Sequence, residues 1–237
     1  MKLARVVFGL GVVAFLLLAL AGPGSRLGLW QFGTGFKFIQ WGFFLGCGVV
    51  VLALIAAVAS RPFRSKGPLL AGALLLGGIA AFLPFYVLRQ AKSVPPIHDV
   101  TTDLEDPPVF VAVLPLRADA PNPAAYGGPE VAAAQRKGYP DLHPLEIAAP
   151  APAAFARAAE AARRMGWAIV ATDSASGRIE ATATTPWFGF KDDVVVRVRP
   201  AQTGSRIDVR SVSRVGGSDV GTNAKRIRSY LAQVRGS

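Results

Sequence analysis

The 237-residue chain has one cysteine, two histidines and no familiar catalytic motif. Because Cys47 has no second cysteine to pair with, an intramolecular disulfide and a cysteine-ligated zinc site are both excluded. The nucleophile elbow, the Walker phosphate loop and the HExxH zinc motif are all missing. The sequence therefore predicts no catalytic residue, no metal ligand set and no cofactor.

Charged residues are missing from three hydrophobic runs, residues 6–21, 41–59 and 68–88. A helix of about 20 apolar residues crosses a bilayer, so we predict two or three transmembrane helices in a membrane region over residues 1–90. Intramembrane charges usually mark transport paths, and their absence argues against a transporter. The first run is short and ends in a small-residue motif, so a retained helix and a cleaved signal peptide both remain open.

Basic residues set the expected orientation. Lys2 and Arg5 precede the first run, and Arg61, Arg64 and Lys66 lie between the second and third. Such loops favour the cytoplasmic side. We therefore expect a multi-pass protein of the inner (cytoplasmic) membrane with an extracytoplasmic soluble domain.

Residues 91–150 form a predicted linker that is rich in proline and acid. Proline disfavours long helices and central strands, and residues 109–114 are the one strand-like run. Five residues gather acidic groups around a histidine: His98, Asp99, Asp103, Glu105 and Asp106. They fit either a divalent cation site or an acidic segment that pairs with arginines of the domain.

Residues 151–237 predict a soluble α+β domain of helix, four-stranded antiparallel sheet and helix. Apolar residues recur at helical spacing over 152–165 and 219–234. Alternating patterns and turn residues indicate strands at 167–172, 178–184, 194–199 and 206–212. The aromatic segment 187–190 either fills the end of the sheet–helix core or reaches an apolar groove or the bilayer.

Hydroxyls, glycines and charges crowd into residues 210–227, here called the polar segment. Two interpretations remain open: an anion or headgroup site at a helix start, or an internal salt-bridge network with Asp192 and Asp193. The candidate ligand-binding residues are Arg210, Arg214, Gly216, Gly217, Ser218, Asn223 and Arg226.

The polar segment, together with residues 190–194 (FKDDV), 95–99 (PPIHD) and 105–108 (EDPP), resembles the bacterial domain of unknown function 1499. The resemblance covers residues 95–234 and implies the multi-pass membrane form of that family. It implies an architecture and no established activity.

The net charge of +11 suits an anionic partner, and the hydrophobic runs favour a lipid bilayer over nucleic acid. We expect a non-enzymatic, extracytoplasmic binding or envelope-structural domain that recognises an anionic lipid headgroup or an envelope protein. The alternative is a membrane-surface hydrolase that acts on an anionic lipid through Asp192 or Asp193 with Arg214.

Overall fold

The computed structural model of the chain describes residues 2–59 and 67–236. It divides into two compact units. The first comprises Met1–Gln90 and Pro186–Gly189, and the second comprises Ala91–Thr185 and Phe190–Ser237. The basic loop of Arg61, Arg64 and Lys66, on which the expected orientation partly rests, lies outside the described residues.

Three helices form most of the first unit: α1 (Lys2–Arg26), α2 (Phe32–Ala59) and α3 (Gly67–Lys92). All three are long and apolar enough to cross a membrane. This confirms the predicted N-terminal apolar helices. α1 and α3 extend beyond their hydrophobic runs at both ends, and α2 extends beyond its run at the beginning. Glycines let the helices approach closely. A methyl group at Gly42 would lie 3.0 Å from the Ala14 carbonyl oxygen, and one at Gly46 would lie 2.7 Å from the Gly77 carbonyl oxygen.

Residues Pro186–Gly189, which include most of the aromatic segment 187–190, belong to the first unit. The Phe188 ring is buried with its centroid 5.1 Å from that of Phe36. A side chain at Gly22 would collide with the Trp187 ring. These aromatic rings therefore do not fill the sheet–helix core, which was one of the two interpretations.

The second unit is built on a fully antiparallel sheet. Its strands are β1 (Asp99–Thr101), β2 (Leu145–Ile147), β3 (Ala168–Asp173), β4 (Arg178–Thr184), β5 (Lys191–Ala201) and β6 (Gly204–Ser213). The order is β1-β6-β5-β4-β3, and β2 also pairs with β6. The predicted α+β antiparallel-sheet domain is confirmed, but the sheet has six strands where four were predicted.

The two additional strands come from the region predicted as a linker. β1 pairs with the end of β6 and β2 with its beginning. Each has only three residues, which is too short to show an alternating pattern. A helix, α4 (Gly128–Gly138), lies between them. Both strands and α4 lie in the second unit, within Ala91–Thr185.

The strand expected at residues 109–114 is not formed. The backbone instead turns and enters a 3₁₀ helix, Leu114–Arg117. Pro115 lacks an N–H and suits the first turn of a helix. The preceding N–H groups bond to a side chain rather than to a neighbouring strand, as described below.

Two helices, α5 (Ala151–Arg164) and α6 (Thr222–Arg235), cover one face of the sheet. Successive strand residues point to opposite faces, so Ile179, Val194 and Val209 enter the core beneath these helices. The opposite face carries a smaller cluster of Phe110, Val113, Val195 and Val212. Residues 102–126, here called the covering segment, lie over that face. The sheet therefore has a helical side and a covered side.

Candidate functional site

The polar segment spans the end of β6, a turn and the start of α6. Because side chains alternate along β6, Arg210, Val212 and Arg214 point to the covered side. Ser211 and Ser213 point to the helical side, where both contact Asn223. The predicted site residues therefore form two networks on opposite faces of the sheet.

Arg210 is the centre of the network on the covered side. It is 1% exposed and makes a two-point ion pair with Asp99, with Nε–Oδ1 2.9 Å and Nη2–Oδ2 2.7 Å. It also donates to the carbonyls of Pro108 and Ala124. Its guanidinium lies over the rings of Phe110 and Tyr126, at 5.2 and 5.4 Å from the centroids. Arg210 thus ties β1 and the covering segment to β6.

Arg214 makes the second ion pair on this side. Its Nε and Nη2 lie 2.9 and 2.8 Å from the two oxygens of Asp193. Thr182 donates its hydroxyl to the same carboxylate, which is 0% exposed. Arg117 is a second arginine beside Asp193, with its Nη1 3.3 Å from Asp193 Oδ2. Burial, reinforced by Arg214 and Arg210 and opposed by Asp193, lowers the pKa of Arg117. Arg117 was not among the predicted site residues, because no motif marks its position in the sequence.

The network on the helical side holds Asp192. Arg226 Nη2 lies 2.5 Å from Asp192 Oδ2, and its Nη1 donates to Ser211 Oγ at 3.0 Å. Asn223 donates from Nδ2 to Ser213 Oγ and to the His98 carbonyl, both at 3.0 Å. Asp192 and Asp193 therefore serve opposite faces of the sheet and face different arginines.

The start of α6 is already capped by a carboxylate. Asp219 accepts from Gly221 N at 2.8 Å and from Asn223 N at 2.7 Å. Ser218 Oγ accepts from Val220 N at 3.2 Å. Burial raises the pKa of Asp219 against the lowering effect of those two N–H groups. Asp219 therefore occupies the N–H groups that an anion would bind.

The two candidate glycines differ in conformation. Gly216 has φ +91°, in the left-handed region, whereas Gly217 is not among the residues with positive φ. Both are exposed. Only Gly216 therefore needs the conformational freedom of glycine.

Three acidic residues of segment 98–106, Asp99, Asp103 and Asp106, face arginines of the sheet, whereas Glu105 pairs with Arg136 of α4. Asp103 and Asp106 pair with Arg197 and Arg199, and Asp208 completes the group together with Arg206. Burial raises the pKa of Asp103, but two backbone N–H groups and the arginines outweigh it and leave that pKa lowered. Within residues 2–59 and 67–236, no group of three or more His, Cys, Asp or Glu is placed to hold a metal ion. The geometry thus favours arginine pairing over a cation site.

Glu180 holds the turn of the covering segment. Its fully buried carboxylate accepts from the N–H groups of Val111, Ala112 and Val113 at 2.9 to 3.1 Å. Arg178 Nε lies 3.0 Å from the same carboxylate. Successive backbone N–H groups form a concavity that suits an anion, and Glu180 fills it. The alternating pattern placed Glu180 on the polar face of β4 but gave no sign that this face is covered.

A cleft of about 410 Å³ opens in the second unit away from the polar segment. Its walls combine apolar side chains with two ion pairs, Glu105–Arg136 and Asp103–Arg206. The lining residues are Thr102, Asp103, Leu104, Glu105, Arg136, Tyr139, Pro140, Leu142, His143, Pro144 and Arg206. None of the predicted ligand-binding residues lines this cleft.

The fold and the two networks define an α+β domain, with an ion-paired sheet, that follows three helices of bilayer length. The family model described as a protein of unknown function, DUF1499, matches residues 99–234, which is more than half of the chain. The chain therefore belongs to the DUF1499 family. A search of curated proteins gives no match to the chain.

Proposed function

We propose that this chain is an integral membrane protein whose DUF1499 domain is a non-enzymatic binding or envelope-structural module. The observation that carries the proposal is the pairing of the polar segment's arginines with carboxylates elsewhere in the domain. Arg210, Arg214 and Arg226 each face a carboxylate of the domain itself. The ion pairs of the polar segment would then connect the covering segment, the sheet and α6 and stabilise the domain.

The geometry gives the hydrolase alternative little support. A general base needs a lone pair within reach of the substrate. Asp193 is fully buried beneath Thr182, Arg214 and Arg117. Asp192 lies on the other face and is paired with Arg226. The two carboxylates therefore cannot share one reaction centre.

The charge distribution favours anionic lipid as the partner of the membrane region. All fifteen acidic residues lie at Asp99 or later, whereas residues 1–90 hold eight lysines and arginines and no acid. Lys2, Arg26, Lys37 and Arg89 lie near ends of the apolar helices. Cations beside a membrane span attract anionic headgroups by roughly 1 kcal/mol each. We therefore assign headgroup contact to the helix ends rather than to Arg210 and Arg214.

Lipid copurification tests this assignment. The full chain is purified in mild detergent, and its bound lipids are identified by native mass spectrometry. We expect an anionic lipid that an Arg26→Gln/Lys37→Gln double variant loses and that Arg214→Ala keeps. Loss of the lipid in a folded Arg214→Ala protein would instead place the headgroup site at the polar segment. Absence of bound anionic lipid from the wild-type protein would contradict the lipid partner altogether.

The extracytoplasmic placement of the domain is part of the same proposal, and Lys2 and Arg5 at the beginning of α1 support it. An alkaline phosphatase fused after residue 237 should be active, because that enzyme needs an oxidising compartment. An inactive but stably expressed fusion would put the domain in the cytoplasm and reopen nucleic acid as a partner.

A further inference from the structure

The covering segment carries an unusual concentration of exposed aliphatic side chains. Five large hydrophobic residues of the second unit are exposed among those that the structure describes, and four of them lie within eight positions. These four, here called the apolar patch, are Val109, Val111, Leu114 and Leu116, at 43% to 66% exposure. Concentrated exposed apolar side chains mark protein-binding or membrane-binding surfaces.

The segment that carries the apolar patch packs against the sheet through its other side chains. Phe110 and Val113 alternate with the patch residues and are buried against Val195 and Val212 of the sheet. Arg210 donates to the Pro108 carbonyl, at the beginning of the same turn. The side chains of the apolar patch therefore project from a turn that is packed and hydrogen-bonded against the sheet.

The backbone N–H groups of residues 111–116 have hydrogen-bond acceptors within the protein. Those of residues 111 to 113 donate to Glu180. Leu114 N donates to the Val111 carbonyl at 3.4 Å, and Leu116 N donates to the Val113 carbonyl at 3.0 Å. Pro115 has no N–H. Arg214 Nη1 also donates to the Leu116 carbonyl at 2.6 Å. Backbone groups that enter hydrocarbon must be satisfied within the protein, and every N–H from 111 to 116 meets this condition.

We propose that the apolar patch inserts into the lipid surface of the bilayer that holds α1, α2 and α3. This inference rests on the proposed membrane anchorage. Chain length allows the contact, because β1 begins at Asp99, seven residues after Lys92, the last residue of α3. Such a stretch spans at most about 25 Å. The domain would then touch the membrane at a second place, through aliphatic side chains.

The composition of the apolar patch favours lipid over a protein partner. Energetically dominant residues of protein interfaces are enriched in Trp, Tyr and Arg, whereas Leu and Val are under-represented. The patch contains only Val and Leu. Its internally bonded backbone offers no N–H group in this stretch for a partner strand, which excludes strand addition as the binding mode.

Site-directed fluorescence quenching in the full chain tests the proposal. A Cys47→Ser background removes the native thiol, and one fluorophore is attached at Val111→Cys. A label at Val51→Cys, exposed on α2, reports anchorage, and one at Thr203→Cys, on the exposed β5–β6 turn, reports water. The protein is reconstituted into phosphatidylcholine–phosphatidylglycerol vesicles with or without nitroxide-labelled lipid.

We expect nitroxide lipid to remove most of the emission at positions 51 and 111 and little at position 203. Emission at position 111 that stays at the level of position 203, while position 51 is quenched, would overturn the lipid contact but not the anchorage. An unquenched label at position 51 would overturn the anchorage. Emission at position 111 that depends on protein density and not on nitroxide lipid would identify a second copy as the occupant.

A charge substitution gives a second test. Leu114→Asp should reduce the quenching at position 111 towards that at position 203, because a carboxylate resists entry into lipid. The matched control is Val220→Asp, which places the same charge on the fifth exposed large hydrophobic residue that the structure describes in the second unit. Equal quenching at position 111 in both variants would overturn the proposal.

Discussion

Arg210 and Asp99 form a two-point ion pair in the interior of the domain, between residues that are 111 positions apart in the chain. Arg210 is on β6, and Asp99 is on β1, a three-residue strand at the edge of the sheet. The pair is shielded by Phe110 and Tyr126, and burial raises the pKa of the Tyr126 hydroxyl to about 12. It therefore joins the beginning of the DUF1499 domain to its polar segment.

Loss of this pair should strongly destabilise the domain. Arg210→Ala leaves the Asp99 carboxylate buried without its cation, which costs about 3–5 kcal/mol. The matched control is Arg228→Ala, which breaks an ion pair with Asp141 whose side chains are 42% and 55% exposed. Exposed pairs contribute about 0–1 kcal/mol. Denaturant unfolding of the full chain in detergent measures both, and similar losses in the two variants would contradict a structural role for Arg210.

Glu180 should control the stability of the turn at residues 111–113. In Glu180→Gln the side chain loses its charge and turns an amide donor towards N–H groups that need acceptors. Charge-assisted hydrogen bonds contribute about 1.5–3 kcal/mol each, so the turn should open more often. Hydrogen–deuterium exchange should accelerate at residues 110–116. The control, Glu160→Gln, alters a half-exposed helix residue and should leave this peptide unchanged. Unchanged protection in both variants would refute the assignment.

Asp103 should stabilise the domain at neutral pH and lose this effect in acid. Its pKa is lowered in the folded state despite the raising effect of burial, because two N–H groups and arginines favour the carboxylate. Stability from a lowered carboxyl pKa is present above the unfolded value near 3.8 and disappears as pH falls through the folded value. The stability difference between wild-type protein and Asp103→Asn should therefore shrink below about pH 4. A constant difference would contradict this.

Asp219 should show the opposite pH dependence. Burial raises its pKa in the folded state, so ionisation costs more there than in the unfolded chain. The wild-type protein should gain stability relative to Asp219→Asn as pH falls through the raised folded pKa towards the unfolded value near 3.8. Asp103→Asn and Asp219→Asn control for each other. A general sensitivity to acid would change the stability difference from wild type in the same direction for both variants, whereas opposite directions are expected.

The sequence predicted those parts of the fold that carry a periodic signal. The apolar runs located α1, α2 and α3, and alternation located most of β4, β5 and β6. β1 and β2 were not predicted because each has only three residues, which are too few to show a period. They exist because β6 offers unpaired backbone groups at both of its ends, which is a tertiary effect.

The candidate site was predicted in its residue types but not in its partners. Asp192 and Asp193 were recognised as possible counter-ions, and their placement on opposite faces follows from strand alternation. Neither a motif nor residue spacing matches Arg210 with Asp99 or Arg226 with Asp192, because such pairings depend on strand register and on the covering segment. Glu180 and Arg117 were missed for the same reason.

The last prediction separates the two neighbouring glycines of the polar segment. Gly216 has φ +91°, so Gly216→Ala should cost about 1–2 kcal/mol through left-handed strain. Gly217 lacks a positive φ, and a methyl group there would meet no atom within 4 Å. Gly217→Ala should be neutral, or should stabilise by about 0.4–1 kcal/mol by restricting the unfolded chain. Denaturant midpoints of the two variants measure the contrast. If Gly217→Ala were the more damaging, direct contact of this exposed turn with a partner would have to replace backbone conformation as the reason for its glycines.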